Sequence, residues 1–207
     1  MPEIYVSKEN EKLKTHKLPG HTHNPLAAYC YKPDGVFFET QEQQEKVILL
    51  LRQHPITNIP WILVAIILFL APNILGQFPL ISFLPERFQT AAILLWYLVV
   101  TAYVLEKALA WFFNVYILTD ERIIDVDFYD LIYRAVSDAK TSKVQDVTYK
   151  VGGVIGTIFN FGDVFIQTAG TLPNFDFLKV PNPEEVARIL QELQTEEEVE
   201  ALEGRVR

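Results

Sequence analysis

The sequence predicts a membrane-anchored α+β protein: a two-helix transmembrane hairpin, then a small antiparallel β-sheet or open barrel covered by one C-terminal helix. Three observations carry this. No charged residue occurs between residues 55 and 85, and none again from 88 to 105, whereas a helix crossing a bilayer core uses about 20 mostly apolar residues. Beyond Trp111 the pattern changes to short runs rich in Val, Ile, Tyr and Phe, separated by polar breaks, which is the pattern of strands and hairpins. The chain then passes Pro181-Asn182-Pro183 into an amphipathic segment.

Taken in order, residues 1–40 hold Lys8, Lys12, Lys14 and Lys17 among Pro2, Pro19, Gly20, Pro25 and Pro33, with neither helical nor strand periodicity; a flexible arm is expected. Residues 41–55 combine Glu42 and Glu45 with the apolar run Val47-Ile48-Leu49-Leu50-Leu51. The run is too short to span, so a juxtamembrane amphipathic helix in the interface is expected. Residues 56–113 form the hairpin, with spans over about 58–80 and 88–111. The first span is interrupted by Pro72, Asn73, Gly76, Gln77 and Pro79; a kinked crossing is expected, with an early end and a re-entrant loop as the alternative. Trp111 and Phe112 close the second span as an interfacial aromatic belt.

Strands are expected over 114–118, 122–128, 131–136, 143–151, 163–168 and 175–180, the first two separated by Thr119-Asp120-Glu121. The last helix, 184–193, places Val186, Ile189, Leu190 and Leu193 on one face and takes Asn182 as N-cap and Pro183 as its first residue. Residues 194–207 carry a run of glutamates and read as an acidic, disordered tail.

Lys46 and Arg52 precede the hairpin, Lys107 and Arg122 follow it, and the connection holds only Arg87. The positive-inside rule then puts both termini in the cytoplasm of a multi-pass inner (plasma) membrane protein. Residues 1–20 contain no apolar h-region, so the first apolar segment is expected to direct its own insertion. The single cysteine, Cys30, cannot form an intramolecular disulfide, which agrees with a reducing compartment. A net charge of −8 argues against nucleic acid as a partner, because affinity there comes largely from neutralising phosphates.

The ordered set Tyr116-Ile117-Leu118-Thr119-Asp120-Glu121-Arg122, Ser142-Lys143-Val144-Gln145-Asp146-Val147-Thr148, Gly162-Asp163-Val164, Ile166-Gln167-Thr168-Ala169-Gly170 and Val180-Pro181-Asn182-Pro183 follows the two apolar segments. In that order it resembles the bacterial pleckstrin-homology-like (bPH2) domain of the membrane-flanked YdbS/YdbT type. The resemblance implies a seven-stranded PH-like barrel over residues 114–193 with a C-terminal helix. It implies no catalytic residue. The motif residues are Thr119, Asp120, Arg122, Gln145, Asp146, Gly162 and Pro183. Thr119 and Asp120 suit a tight turn, and strand alternation directs one of Gln145 and Asp146 inward or toward Arg122.

No Gly-x-x-x-x-Gly-Lys-Ser/Thr, Gly-x-Ser-x-Gly, His-Glu-x-x-His or paired cysteines occur, so no enzyme, cofactor or metal is expected. His16, His21, His23 and Cys30 could ligate a metal in principle, but they lie in the flexible arm. His54 falls at the membrane interface. Phosphoinositide binding needs clustered bases, and residues 122–134 offer Arg122 and Arg134 against Asp125, Asp127 and Asp130. Two features remain as a candidate interaction patch. One is the glycine-hinged apolar stretch with Val154, Ile155, Ile158, Phe159 and Phe161; the other is the basic set Lys140, Lys143 and Lys150, diluted by Asp138 and Asp146. The apolar stretch is either a crossover packed on the barrel or a surface contacting the bilayer or a partner. The expected function is a non-catalytic, membrane-tethered interaction module for a membrane-protein partner or the membrane surface. The alternative is a transport or export component using Glu106, Lys107 and the break at residues 72–79.

Overall fold

The structure, a computed structural model, describes residues 24, 26–33, 35–38, 40–42, 45–75, 85–128, 134–169 and 174–202. The chain divides into two units: Met1–His54 with Asn114–Asp127 and Ala135–Arg207, and Pro55–Phe113 with Phe128–Arg134.

The first unit is built on two antiparallel sheets. Five strands run in spatial order β1 (Tyr29–Tyr31), β2 (Val47–Leu51), β3 (Val115–Thr119), β4 (Arg122–Phe128) and β5 (Arg134–Lys140). Three more follow as β6 (Val144–Lys150), β7 (Phe161–Thr168) and β8 (Phe175–Pro181). The described strands therefore make a five-stranded and a three-stranded sheet, not the seven-stranded barrel the resemblance implies. The difference arises ahead of the hairpin. Residues 47–51 are a strand, not an interfacial helix, and residues 29–31, expected in a flexible arm, are a second strand beside it. β2 lies between β1 and β3, pairing Leu51 with both Tyr29 and Tyr116. A central strand is covered on both faces, so it reads as a continuous apolar run without alternation.

Both sheets and the C-terminal helix share one core. Leu49, Leu51, Leu118 and Ile123 meet Val164, Ile166, Phe177 and Val180 there, and the Tyr116 and Phe177 rings stack at 4.4 Å. The Tyr116 hydroxyl accepts from the Leu178 N–H at 3.3 Å. The opposite face of the larger sheet buries Val47, Ile117 and Ile124 under Val36 and Phe38.

Two helices belong to this unit. α3 (Gly153–Phe159) replaces the expected glycine-hinged loop. α4 (Pro183–Leu202) starts where the Pro-Asn-Pro signal places it but continues through the expected disordered tail. Its Val186, Ala187, Ile189, Leu190 and Leu193 are buried on one face, the spacing of an amphipathic helix. Residues 203–207 of that tail lie outside the described residues, as do residues 131–133 of the strand expected over 131–136, which is seen instead as β5.

The second unit holds α1 (Ile59–Leu75), entered through a 3-10 turn at Pro55–Asn58, and α2 (Glu86–Phe113). The segments Pro55–Ile74 and Arg87–Phe113 are long and apolar enough to cross a membrane. Pro72 lies inside α1; having no N–H, it leaves the carbonyl four residues earlier without its helical donor. That carbonyl belongs to Leu68 and accepts from the Trp96 indole of α2 at 2.9 Å. Phe69 and Tyr97 pack beside it at 5.3 Å. Residues 76–84, including the rest of the expected break, lie outside the described residues.

Candidate functional site

The motif residues of the β3–β4 turn converge on a residue the sequence did not single out. Glu45 precedes β2, and its side chain is fully buried. Its Oε1 accepts from Arg122 Nε at 2.9 Å and from the Thr119 hydroxyl at 2.7 Å. Its Oε2 accepts from Arg122 Nη2 at 2.9 Å and from the Glu42 N–H at 3.0 Å. Thr119 Oγ1 in turn accepts from the Arg122 N–H at 2.9 Å. Asp120 completes the latch: its Oδ1 takes the Lys46 N–H at 2.8 Å, and its own N–H returns to the Lys46 carbonyl. Burial alone would raise the Glu45 pKa, but the bonds from Arg122, Glu42 and Thr119 and the Arg122 charge outweigh it and hold the carboxyl below its usual range. Thr119, Asp120 and Arg122 thus fasten the strand ahead of the hairpin to the strands after it.

Gly162 and the residues around it are also structural. Gly162 lies where β7 crosses the end of β6, and a Cβ there would collide with the Lys150 carbonyl oxygen. Asp163 Oδ1 receives the N–H of Lys179 at 2.7 Å, where β8 bulges with φ +55°. Asn182 precedes Pro183, but its side chain does not cap the helix: with φ +49°, its Oδ1 accepts from Asn160 Nδ2 at 2.8 Å while its carbonyl takes the Val186 N–H at 3.1 Å. Gln145 and Asp146 depart from expectation. A register shift between Val144 and Asp146 interrupts alternation and leaves both exposed, while Arg122 reaches Glu45 and Asp138 instead.

The candidate interaction patch separates into pieces. On α3, Val154, Ile155, Ile158 and Phe159 are 75%, 59%, 69% and 50% exposed. Leaving four such side chains half to three-quarters in water forgoes on the order of 5 kcal/mol of burial. Phe161 does not join them: it is half-buried in β7 and stacks on the His54 ring at 5.2 Å. Lys150 ends β6, and two residues separate it from α3. Lys143 and Lys140 precede the other end of β6, and a seven-residue strand spans roughly 23 Å, so the three lysines form no single cluster.

His54 links α3 to the hairpin through the chain itself. Its N–H donates to the Lys179 carbonyl at 2.8 Å, and its ring lies 6.4 Å from Phe159. Burial lowers its pKa, favouring the neutral imidazole that stacks. The next residue, Pro55, begins the first apolar segment.

A group of acids lies beside Tyr116, which faces Asp125 across the β3–β4 pair. Asp125 of β4 is pushed up to about 7 by burial and by the charges of Asp127 and Asp176, and its Oδ1 is buried without a hydrogen bond. Among the described residues no group of three His, Cys, Asp or Glu is placed to hold a metal. Cys30 is buried in β1, and His16, His21 and His23 lie outside the described residues. In α2, Glu106 and Lys107 bond one another at 3.4 Å.

A family profile described as "Bacterial PH domain" matches residues 55–194, more than half of the chain. The chain belongs to the bacterial PH domain family. No curated protein and no solved structure matches it. The match begins at Pro55, so β1 and β2 stand ahead of the matched bacterial PH domain segment, although β2 contributes Leu49 and Leu51 to the core.

Proposed function

We propose that this protein is a non-catalytic integral membrane protein: its two apolar helices form a transmembrane hairpin, and its PH-like domain is an interaction module tethered at the cytoplasmic face. The connectivity of β2 and β3 carries the reading. These strands are antiparallel neighbours, with Leu51 opposite Tyr116, and both apolar segments lie between them in the chain. A chain that leaves and re-enters one sheet at adjacent strands must return to the side it left, as a two-span hairpin does. The basic residues flanking the hairpin support a cytoplasmic placement of that side.

The first unit supports a binding role. Thr119, Asp120, Arg122 and Gly162 are occupied in holding the fold, and α3 presents apolar side chains to solvent. The acids Asp125, Asp127 and Asp176 disfavour a phosphate headgroup at their part of the surface. Glu106 and Lys107, on which a transport role would draw, contact one another at 3.4 Å, which favours the anchor reading of the spans.

Extraction and labelling test this. The protein should remain in membranes at alkaline pH. With the native cysteine replaced (Cys30→Ala), an impermeant maleimide should label Arg87→Cys in intact cells, whereas Glu192→Cys should label only after lysis. Release at alkaline pH, or labelling of both sites from outside, would refute the proposed arrangement. Cys30 itself, 5% exposed, makes a poor topology probe.

A further inference from the structure

We propose that the apolar face of α3 beds into the lipid interface, making this short helix a third membrane contact of the domain, with Lys150 and Lys179 at the headgroups. The inference rests on the hairpin being a membrane anchor and identifies what its interaction module meets first.

Placement comes from the chain. Phe159 faces the His54 ring, whose residue is joined by one peptide bond to the first residue of the first apolar segment. The return point lies nearby in the same unit. Tyr116, near the start of β3, bonds Leu178, and the adjacent Lys179 carbonyl takes the His54 N–H. The domain's exit and re-entry are thus gathered beside β8, and α3 is packed at that place. If the chain enters the bilayer at Pro55, α3 stands at the surface.

Chemistry agrees with the placement. The helix exposes Val154, Ile155, Ile158 and Phe159, the residue types that enter the acyl–headgroup boundary. Lys150, immediately before the helix approach, and Lys179, beside His54, are both exposed. Bases next to an apolar face suit anionic lipid. Asp163, between them, accepts the Lys179 N–H; Asp125, opposite Tyr116, is pushed toward its neutral form by burial and by the charges of Asp127 and Asp176.

Size selects lipid over protein. A standard protein interface buries about 800 Å² per partner, more than one face of a seven-residue helix supplies. A lipid contact needs no such area, because the covalent tether already holds the helix at high effective concentration.

The test uses the full chain with Cys30→Ala, reconstituted in vesicles of phosphatidylethanolamine and phosphatidylglycerol. An environment-sensitive fluorophore is attached at Ile158→Cys, Val154→Cys, Leu94→Cys or Glu192→Cys, and quenching by lipids brominated along the acyl chain is measured. Quenching at Ile158, Val154 and Leu94 but not Glu192, with the α3 probes about 5–10 Å below the headgroups, is the expected result. Quenching at Leu94 with water-like, unquenched probes on α3 overturns the inference and leaves the anchor standing. Probes on α3 shielded from aqueous iodide yet untouched by brominated lipid also overturn it, in favour of a protein surface. An unquenched Leu94 removes the anchor and the inference together.

Discussion

Removing the Glu45 carboxylate should unfasten the strand ahead of the hairpin. Glu45 is fully buried at its side chain and Arg122 retains 17% exposure, with two Arg122 nitrogens 2.9 Å from the two carboxylate oxygens. Glu45→Ala leaves the Arg122 guanidinium beside an emptied site, strips the Glu42 N–H of its acceptor and leaves the Thr119 hydroxyl only the Arg122 carbonyl. Breaking one partner out of a buried pair costs about 3–5 kcal/mol. At about 2–4 °C per kcal/mol for a chain of this size, the unfolding midpoint should fall by roughly 6–20 °C. Replacing both partners by apolar residues should cost less than the single change, because no buried charge is then abandoned. The pH dependence is signed. A carboxyl held below its usual range contributes stability that is present above its unfolded pKa and lost as pH falls through the folded one. The wild type should therefore weaken below pH 4.5, the ordinary glutamate value, while Glu45→Gln shows no such component. Thermal unfolding in mild detergent and hydrogen exchange of the β1 and β2 amides measure both effects. A loss under about 1 kcal/mol for Glu45→Ala, with β2 exchange unchanged, would refute a latch and make the pair an ordinary surface ion pair.

Three further outcomes follow from the same structure. Asp125→Asn should stabilise the protein increasingly as pH rises from 3.8 toward about 7, because the folded state retains a proton that the unfolded chain releases. Allowing for its partial exposure, the gain at pH 8 should be about 1–2 kcal/mol by denaturant titration. Gly162→Ala should cost about 1–3 kcal/mol through collision with the Lys150 backbone, whereas Gly152→Ala, with open space around it, should stay within about 0.5 kcal/mol. Trp96→Phe should weaken the α1–α2 pair by about 1–2 kcal/mol in detergent unfolding, and by less in a Pro72→Ala background, where residue 72 regains an N–H for the Leu68 carbonyl. Equal losses in both backgrounds would detach the indole from the proline.

Much of the fold was legible because short-range chemistry decided it. The strands after Trp111 are short runs of β-forming residues punctuated by turn residues; Thr119-Asp120-Glu121 does mark the β3–β4 turn, and Pro181-Asn182-Pro183 does open α4. β2 was not legible, because a strand covered on both faces loses its period of two, and Glu42 and Glu45 beside a leucine run imitate a helix. Only pairing with β3, across the whole hairpin, settles it. The Glu45 latch was hidden for the same reason: its partner Arg122 lies 77 residues away. Gln145 and Asp146 were misjudged because a bulge cancels alternation locally. The lysines looked clustered because proximity in sequence was equated with proximity in space, which an extended strand defeats. On α3 the apolar composition was readable, whereas its packing against His54 depended on tertiary structure.

The insertion of the hairpin between β2 and β3 gives the latch a reason to exist. Closing a flexible loop of about 60 residues costs some 3–4 kcal/mol beyond the fixed term, and a connection that long leaves strand register weakly specified. Two devices offset this. Within the hairpin, α1 and α2 pair antiparallel through Trp96 on Leu68 and Tyr97 on Phe69, which shortens the effective loop before β2 meets β3. At the far end of the strand pair, Val47 lies opposite Thr119, and there Glu45, Lys46, Asp120 and Arg122 set the register with hydrogen bonds that a one-residue slip would break. The motif residues at this turn thus read as those needed to rejoin a domain interrupted by two long apolar helices. A ligand need not be invoked to account for them, whereas the apolar side chains that α3 exposes have no such role in holding the fold.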